Sequence, residues 1–355
     1  MFDLMKKITD LVGPSGFEQD VQRAILNEVK DYVDEYSIDP IGNLIVKKNG
    51  NASDYPSLVI AAHTDEIGFI VKKVEANGLI RFEELGGFDD RMLLSLPVKV
   101  KSDFGYVDGA IGTLAVHYVK WDDPQRIANH RDLYIDVGAC SAEEVAEMGI
   151  RPGQPIAYGT ELKRVGKNRV LGKALDDRAG CALLIRLFQN LESSSVQHGD
   201  VYGAFTVQEE VGLRGASVIS NAVNPDFALA LDTTPVSDTY DVLMKGTRKL
   251  GAGPCIKVVD KSLIAHPLVT RHLEKVAKEN NLPYQLEVFM GIGTDAGAIH
   301  MTNTGVSTGV ISIPSRYTHT PIEVVDLNDM ENSYQLLHQF VATLNQLRGK
   351  TFLDT

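Results

Sequence analysis

Apolar residues recur at helical spacing along EQDVQRAILNEVKDYV (18 to 33). They then give way to a short, nearly unbroken apolar run, SLVIAAH (57 to 63), of the kind a buried parallel strand shows. The same pairing returns further on. A helix-like AGCALLIRLFQNL (179 to 191) precedes a strand-like VYGAFTV (201 to 207), and a short helix-like RGASVISNA precedes FALALD (227 to 232). Beyond these lie a helical period over 268 to 280, the runs YQLEVF (284 to 289), DAGAIHM (295 to 301) and TGVISI (308 to 313), and a final helix over 328 to 347. Such alternation predicts an α/β fold, a mainly parallel sheet sandwiched by helices.

Between about 68 and 165 the texture changes. GLIRFEEL, LPVKVKS, GAIGTLAV, DLYIDVGA and QPIAYG are short β-like runs among frequent glycines, with SAEEVAEMG the one convincing helix. The pattern divides the chain into an α/β domain made of 1–67 and 166–355 and a small inserted β-rich domain at 68–165. A chain of 355 residues suits two cores better than one, since single cores stop growing at about 250 to 300 residues.

Composition narrows the function classes. A hydrophobic share of 44% and a charged share of 23% are ordinary globular values, and a net charge of −12 argues against a nucleic-acid surface. No run approaches the ~20 apolar residues of a membrane helix, and MFDLMKKITDLVGPSG lacks the apolar core of a signal peptide. Three scattered cysteines, Cys140, Cys181 and Cys255, form no CxxC and suggest no disulfide framework, so the cytoplasm is the expected compartment.

In open α/β sheets ligands collect outside the carboxyl ends of the strands. Immediately after the strand-like runs stand His63-Thr64-Asp65, then Gln208-Glu209-Glu210, Asp232 and, past a short turn, Arg316-Tyr317-Thr318-His319. Asp176-Asp177 opens the helix of the second half. Two histidines and several carboxylates on one sheet edge form an oxygen- and nitrogen-donor set suited to a bridged pair of divalent ions. Adjacent side chains on extended backbone point to opposite sides, so one of Glu209 and Glu210 is expected as a ligand and the other as a base.

AAHTDEIGF, GKALDDRAGCALL, VQEEVGLRGA, ALDTTP, GTDAGA and RYTHTP together resemble the M42 family of dinuclear metallo-aminopeptidases, the tetrahedral-particle and glutamyl-aminopeptidase group. The resemblance extends over nearly the whole chain. It implies that His63, Asp176 and Asp232 hold one metal, that Asp176, Glu210 and His319 hold the other, and that Asp176 bridges them. It further implies Glu209 as general base, Asp65 behind His63, and a cis peptide between Asp176 and Asp177. Zinc is the expected metal, with cobalt or manganese also suited. The implied reaction is metal-assisted removal of the N-terminal residue of short peptides, in a homododecamer assembled through the inserted domain.

Other features carry weaker readings. Lys249 and Lys257 flank LGAGPCI, which in the family passes near the substrate side-chain pocket, and would favour Asp or Glu at the substrate N-terminus. GGFDDR (86 to 91) mimics the second Asp-Asp-Arg but is expected to be structural or interdomain. His117, His130, His198, His266, His272, His300 and His338 lack partner motifs and are expected at the surface or in packing. GIGTDAGA (291 to 298) has the wrong spacing for a dinucleotide loop, and no HExxH or G-x-S-x-G is present. A related carboxypeptidase, an endoglucanase or a peptide-binding particle are the competing functions. The flanks DDRAG and RYTHTP, the partner histidines and the unbroken donor set each speak against one of them.

Overall fold

The computed structural model describes residues 1–119, 129–193, 195–240 and 248–354. Its main element is an 11-stranded sheet. At the centre lie Val201–Thr206, Leu58–His63, Phe227–Pro235 and Ser307–Arg316, paired parallel. All six residues of Leu58–His63 are buried. The strand's two faces enter different cores: Leu58, Ile60 and Ala62 join the large cluster, while Val59 and Ala61 face a smaller one with Ala204, Ala228 and Ile219. A strand covered on both faces needs an unbroken apolar run, which is what the sequence supplies.

The large cluster lies between the sheet and the helices Phe2–Thr9, Gln19–Val29, Leu175–Ser193, Pro267–Glu279 and Leu327–Ala342. Helices Ala216–Val223 and Ala296–Ile299 cover the other face. Each fully buried Leu or Ile contributes about 1.5–3 kcal/mol relative to an exposed one, so this cluster dominates the stability of the layer. Among the described residues no helix is long and apolar enough to cross a membrane.

The sheet is less parallel than the alternation of elements predicts. Glu35–Ile38 pairs antiparallel with Leu44–Lys48, and Leu44–Lys48 antiparallel with Val201–Thr206. On the other side Glu323–Asp326, Arg169–Gly172 and Lys163–Val165 also run antiparallel to their neighbours. For the pairs adjacent in sequence, Glu35–Ile38 with Leu44–Lys48, Lys163–Val165 with Arg169–Gly172 and Ser307–Arg316 with Glu323–Asp326, the physical reason is connection length. Short turns return the chain antiparallel, whereas parallel neighbours need a crossover of a dozen or more residues. Among the strands of the described residues, only the four central ones, and Cys255–Val259 with Gln285–Val288, are joined in parallel.

Residues 68–158 supply a second unit. Gly68–Val74, Ile80–Leu85, Ile135–Asp136, Gly105–Ile111, Pro97–Ser102 and Pro155–Tyr158 close into a barrel in that order. Its interior holds Phe69, Val71, Phe82, Val98, Val100, Ile111, Ile135 and Ile156. The strand Gly105–Ile111 begins ahead of the apolar run GAIGTLAV, because the tight turn after Ser102 pairs Ser102 with Gly105 and fixes the register from there.

Candidate metal centre

Each predicted residue reaches one edge of the central strands. His63 ends its strand, Asp232 lies within Phe227–Pro235 and pairs in register with Ser312, and Glu209 and Glu210 stand three and four residues past the end of Val201–Thr206. Asp176 sits where the backbone of Leu175–Ser193 departs from helical geometry, and the Asp176–Asp177 peptide is cis. His319 follows Ser307–Arg316 with φ of 63°, in the left-handed region a bulky side chain rarely adopts. His63, Asp176, Glu209, Glu210, Asp232 and His319 line a single cleft of about 650 Å³.

Distances within the cleft arrange these groups around Asp176. Its Oδ1 lies 3.2 Å from His63 Nε2, and its Oδ2 lies 3.6 Å from His319 Nε2. Asp232 Oδ1 is 3.9 Å from His63 Nε2, and Glu210 Oε2 is 3.2 Å from His319 Nε2. One carboxylate therefore faces two imidazoles with its two oxygens, and each imidazole has a further acid beside it. Asp177 does not line the cleft. It is fully buried, and its Oδ1 accepts the Gly180 N–H at 3.0 Å, which caps the helix that follows.

Electrostatics fit a site short of positive charge. Burial, together with the Asp176 carboxylate, pushes Asp232 well above the usual carboxylate range. Burial also raises Glu209, with Asp232 and Glu210 adding to it. Against burial, which lowers it, Glu210 and Asp176 hold His319 protonated up to about 10. Against burial, which raises it, His63 holds Asp176 at about 2. A cluster of buried acids whose nearest cations are two protonated imidazoles is the arrangement that divalent ions relieve, by taking the place of the imidazole protons. The donors are all oxygen and imidazole nitrogen, which suits zinc, cobalt or manganese.

Surrounding residues hold the donors in place. Asp65, fully buried, has Oδ1 3.4 Å from His63 Nδ1. The same carboxylate accepts the N–H groups of Glu209 at 3.0 Å and Glu210 at 3.1 Å, and the Ser15 hydroxyl at 2.5 Å. The double-glutamate loop is thus tied to the histidine it works with. Glu209 and Glu210 stand on a turn rather than on a strand, after Gln208 at φ of 57°, so both carboxyls enter the cleft. They divide between the two imidazoles: Glu210 faces His319, while Glu209 carries the charge influence of His63 and Asp232.

Sequence reasoning passed over Glu323. Its Oε1 accepts the His319 N–H at 2.9 Å and its Oε2 accepts the Asp176 N–H at 2.8 Å, so one buried carboxylate fixes the backbone of both residues. Nothing in the strand sequence IEVVD (322 to 326) announces such a role. It also passed over Glu18, which is buried and accepts the N–H groups of Gly16 and Gln208.

The two flagged lysines lie elsewhere. Lys257 has no exposed surface and sits 3.5 Å from Asp260 Oδ2 and 3.7 Å from Glu287 Oε1, in a buried network that includes Arg248 and Thr234. A side chain so enclosed cannot meet a substrate. Lys249 is exposed, but its backbone is tied to Gln285 and it does not line the cleft. The ammonium that does line the cleft is Lys261, exposed beside Ser262 and Gly291 to Gly293. Its sequence context is that of any solvated lysine.

The known proteins similar to this chain include aminopeptidases. A family model described as M42 glutamyl aminopeptidase matches residues 42–336. The chain is 32% identical over 365 residues to a lysyl aminopeptidase of Pyrococcus furiosus, covering 99% of both sequences. Among solved structures it is similar to an aminopeptidase from the archaeon Desulfurococcus kamchatkensis, at 39% identity and a TM-score of 0.92, covering 99% of this chain and 98% of that one. It also resembles the TET1 peptidase of Pyrococcus horikoshii, which can assemble into a tetrahedron or a large octahedral shell. That match has 34% identity and a TM-score of 0.86, covering 96% and 98% of the two chains.

Proposed function

Because this chain belongs to the M42 glutamyl aminopeptidase family and is a peptidase, we propose that it removes the N-terminal residue of peptides at a two-metal site bridged by Asp176. The observation that carries the reading is the placement of the two Asp176 oxygens before two different imidazoles, each with its own acid. His63 and Asp232 would hold one ion, His319 and Glu210 the other, and the donor type suits zinc. When bound, such ions supply Lewis acidity to the scissile carbonyl and make water acidic enough to attack near neutral pH.

The protein's own groups do the rest. Glu209 takes the proton of the attacking water and returns it to the departing amine; burial and neighbouring acids raise its pKa in the direction a base working near neutrality requires. Asp65 keeps the Glu209 loop and His63 in one frame through its contacts to both. A substrate α-amine would sit among the ions and the acids that line the cleft, which restricts cutting to the N-terminal residue. The closed barrel of residues 68–158, taken with its flanks to 165, is proposed as the unit through which subunits assemble. The support is its separate core and the shells formed by the similar Pyrococcus horikoshii peptidase.

An acidic preference at the substrate N-terminus fits Lys261 at the cleft and the glutamyl description of the family. A similar protein is named a lysyl aminopeptidase, which supports a reading in which side-chain choice rests on the cleft wall and not on the metal site. Hydrolysis of aminoacyl-nitroanilides by metal-stripped protein, before and after adding zinc, cobalt or manganese, tests the activity. Metal should restore cleavage, and Glu209→Gln should lower kcat roughly 10²–10⁴-fold while metal content stays the same. Cleavage that persists in the stripped protein or in Glu209→Gln would count against the mechanism.

A further inference from the structure

The barrel reaches the metal centre at one point. Gly87, in the loop after strand Ile80–Leu85, has its carbonyl oxygen 2.8 Å from His319 Nδ1. A carbonyl only accepts, so Nδ1 carries a hydrogen and Nε2 is the nitrogen turned toward Glu210 and Asp176. The two histidines of the site are therefore oriented from different bodies. His63 has Asp65, within the α/β layer, behind its Nδ1. His319 has its backbone held by Glu323 of the α/β layer and its ring held by a backbone oxygen of the barrel.

The loop that presents this oxygen is fastened on the barrel side. Gly86 takes φ of 84°, and a Cβ there would lie 2.6 Å from Ile67 Cγ2, so the turn into Gly87 requires glycine. Phe88 packs edge-on against Phe69 and His130, with ring centroids 5.0 and 5.8 Å apart. Asp90 Oδ1 lies 3.1 Å from Nδ1 of the buried His130, and its Oδ2 accepts the Asn129 side-chain amide at 2.9 Å. His130 in turn reaches Glu83 with Nε2, 3.4 Å away. This chain of contacts runs from the barrel wall to the ring of one candidate ligand.

We propose that the loop Gly86–Asp90 is a positioning element for His319, which makes the ion beside His319 and Glu210 depend on the barrel while the ion beside His63 and Asp232 does not. The proposal rests on the two-metal reading above. Partners that orient a ligating histidine typically change metal affinity ten- to hundredfold when lost.

Calorimetric titration of zinc into metal-stripped full-length protein tests it, with folding checked by circular dichroism. Wild type should take two ions per subunit. Asp90→Ala, which frees the loop from His130 and Asn129, should weaken one of the two by roughly tenfold and leave the other unchanged. Asn129→Ala removes one tether from an exposed position and should act in the same direction more weakly, which keeps the test available if Asp90→Ala misfolds. Asp90→Asn retains an acceptor for His130 but sets an amide against the Asn129 side-chain amide, so it should act no more strongly than Asn129→Ala. In a His319→Ala background, Asp90→Ala should have no further effect on the remaining ion. Two ions bound by wild type with neither loop variant altering either affinity, or both affinities falling together, would overturn the positioning role alone. A wild type that takes fewer than two ions would overturn the two-metal reading, and this proposal with it.

Discussion

An imidazole offers one nitrogen to a cation when its other nitrogen is held protonated, so the fate of the second nitrogen decides what a histidine can do. At both His63 and His319 an acceptor stands behind Nδ1 and acids stand before Nε2, which separates these two from histidines such as His272, whose Nε2 meets only the Thr343 hydroxyl. Side-chain choice has a different basis. Lys261 is exposed at the cleft, where a single charge is screened and worth about 0.2–1 kcal/mol. Reversing it in Lys261→Glu should therefore shift the ratio of Glu- to Leu-nitroanilide kcat/KM by roughly three- to tenfold toward Leu. An unchanged ratio would remove Lys261 from specificity.

At the scale of elements, the motif residues that are not candidate ligands turn out to be fasteners. Glu66 of the HTDE stretch accepts the Lys173 ammonium at 2.8 Å and the Gly13 N–H at 2.9 Å, while Lys173 also donates to Leu11 O. Arg178, fully buried, donates to the carbonyls of Thr64 and Ile8. Together they bind the N-terminal segment to the strand end that carries His63. Lys173→Met would take the ammonium from buried Glu66 and leave it the Gly13 N–H and Arg178, 3.7 Å away, a loss of about 3 kcal/mol, the low end for a broken buried pair. Thermal unfolding should reveal it as a much lower Tm, and an unchanged Tm would show that the pair contributes little. The central strands and the candidate donors were legible because apolar runs announce buried parallel strands and short-range spacing puts acids and histidines at their ends. The antiparallel flanks were not, because their short, half-exposed strands carry no such period. Glu323, Glu18 and the Gly87 contact were not legible either, since each acts through backbone groups of residues far away in sequence.

For the whole molecule, a barrel and a sandwich meet at the cleft, so an assembly built through the barrel would share a boundary with the chemistry. If the barrel joins subunits as proposed, the protein should sediment near twelve times the 38.8 kDa of one chain, and a monomeric mass at working concentration would contradict that assignment. The claim on which everything else depends is the pair of ions astride Asp176. Anomalous diffraction from zinc-loaded crystals reads it directly. Two peaks per subunit are expected, one beside His63 and Asp232 and the other beside His319 and Glu210, with the Asp176 carboxylate between them. A single peak, or peaks away from Asp176, would contradict the account.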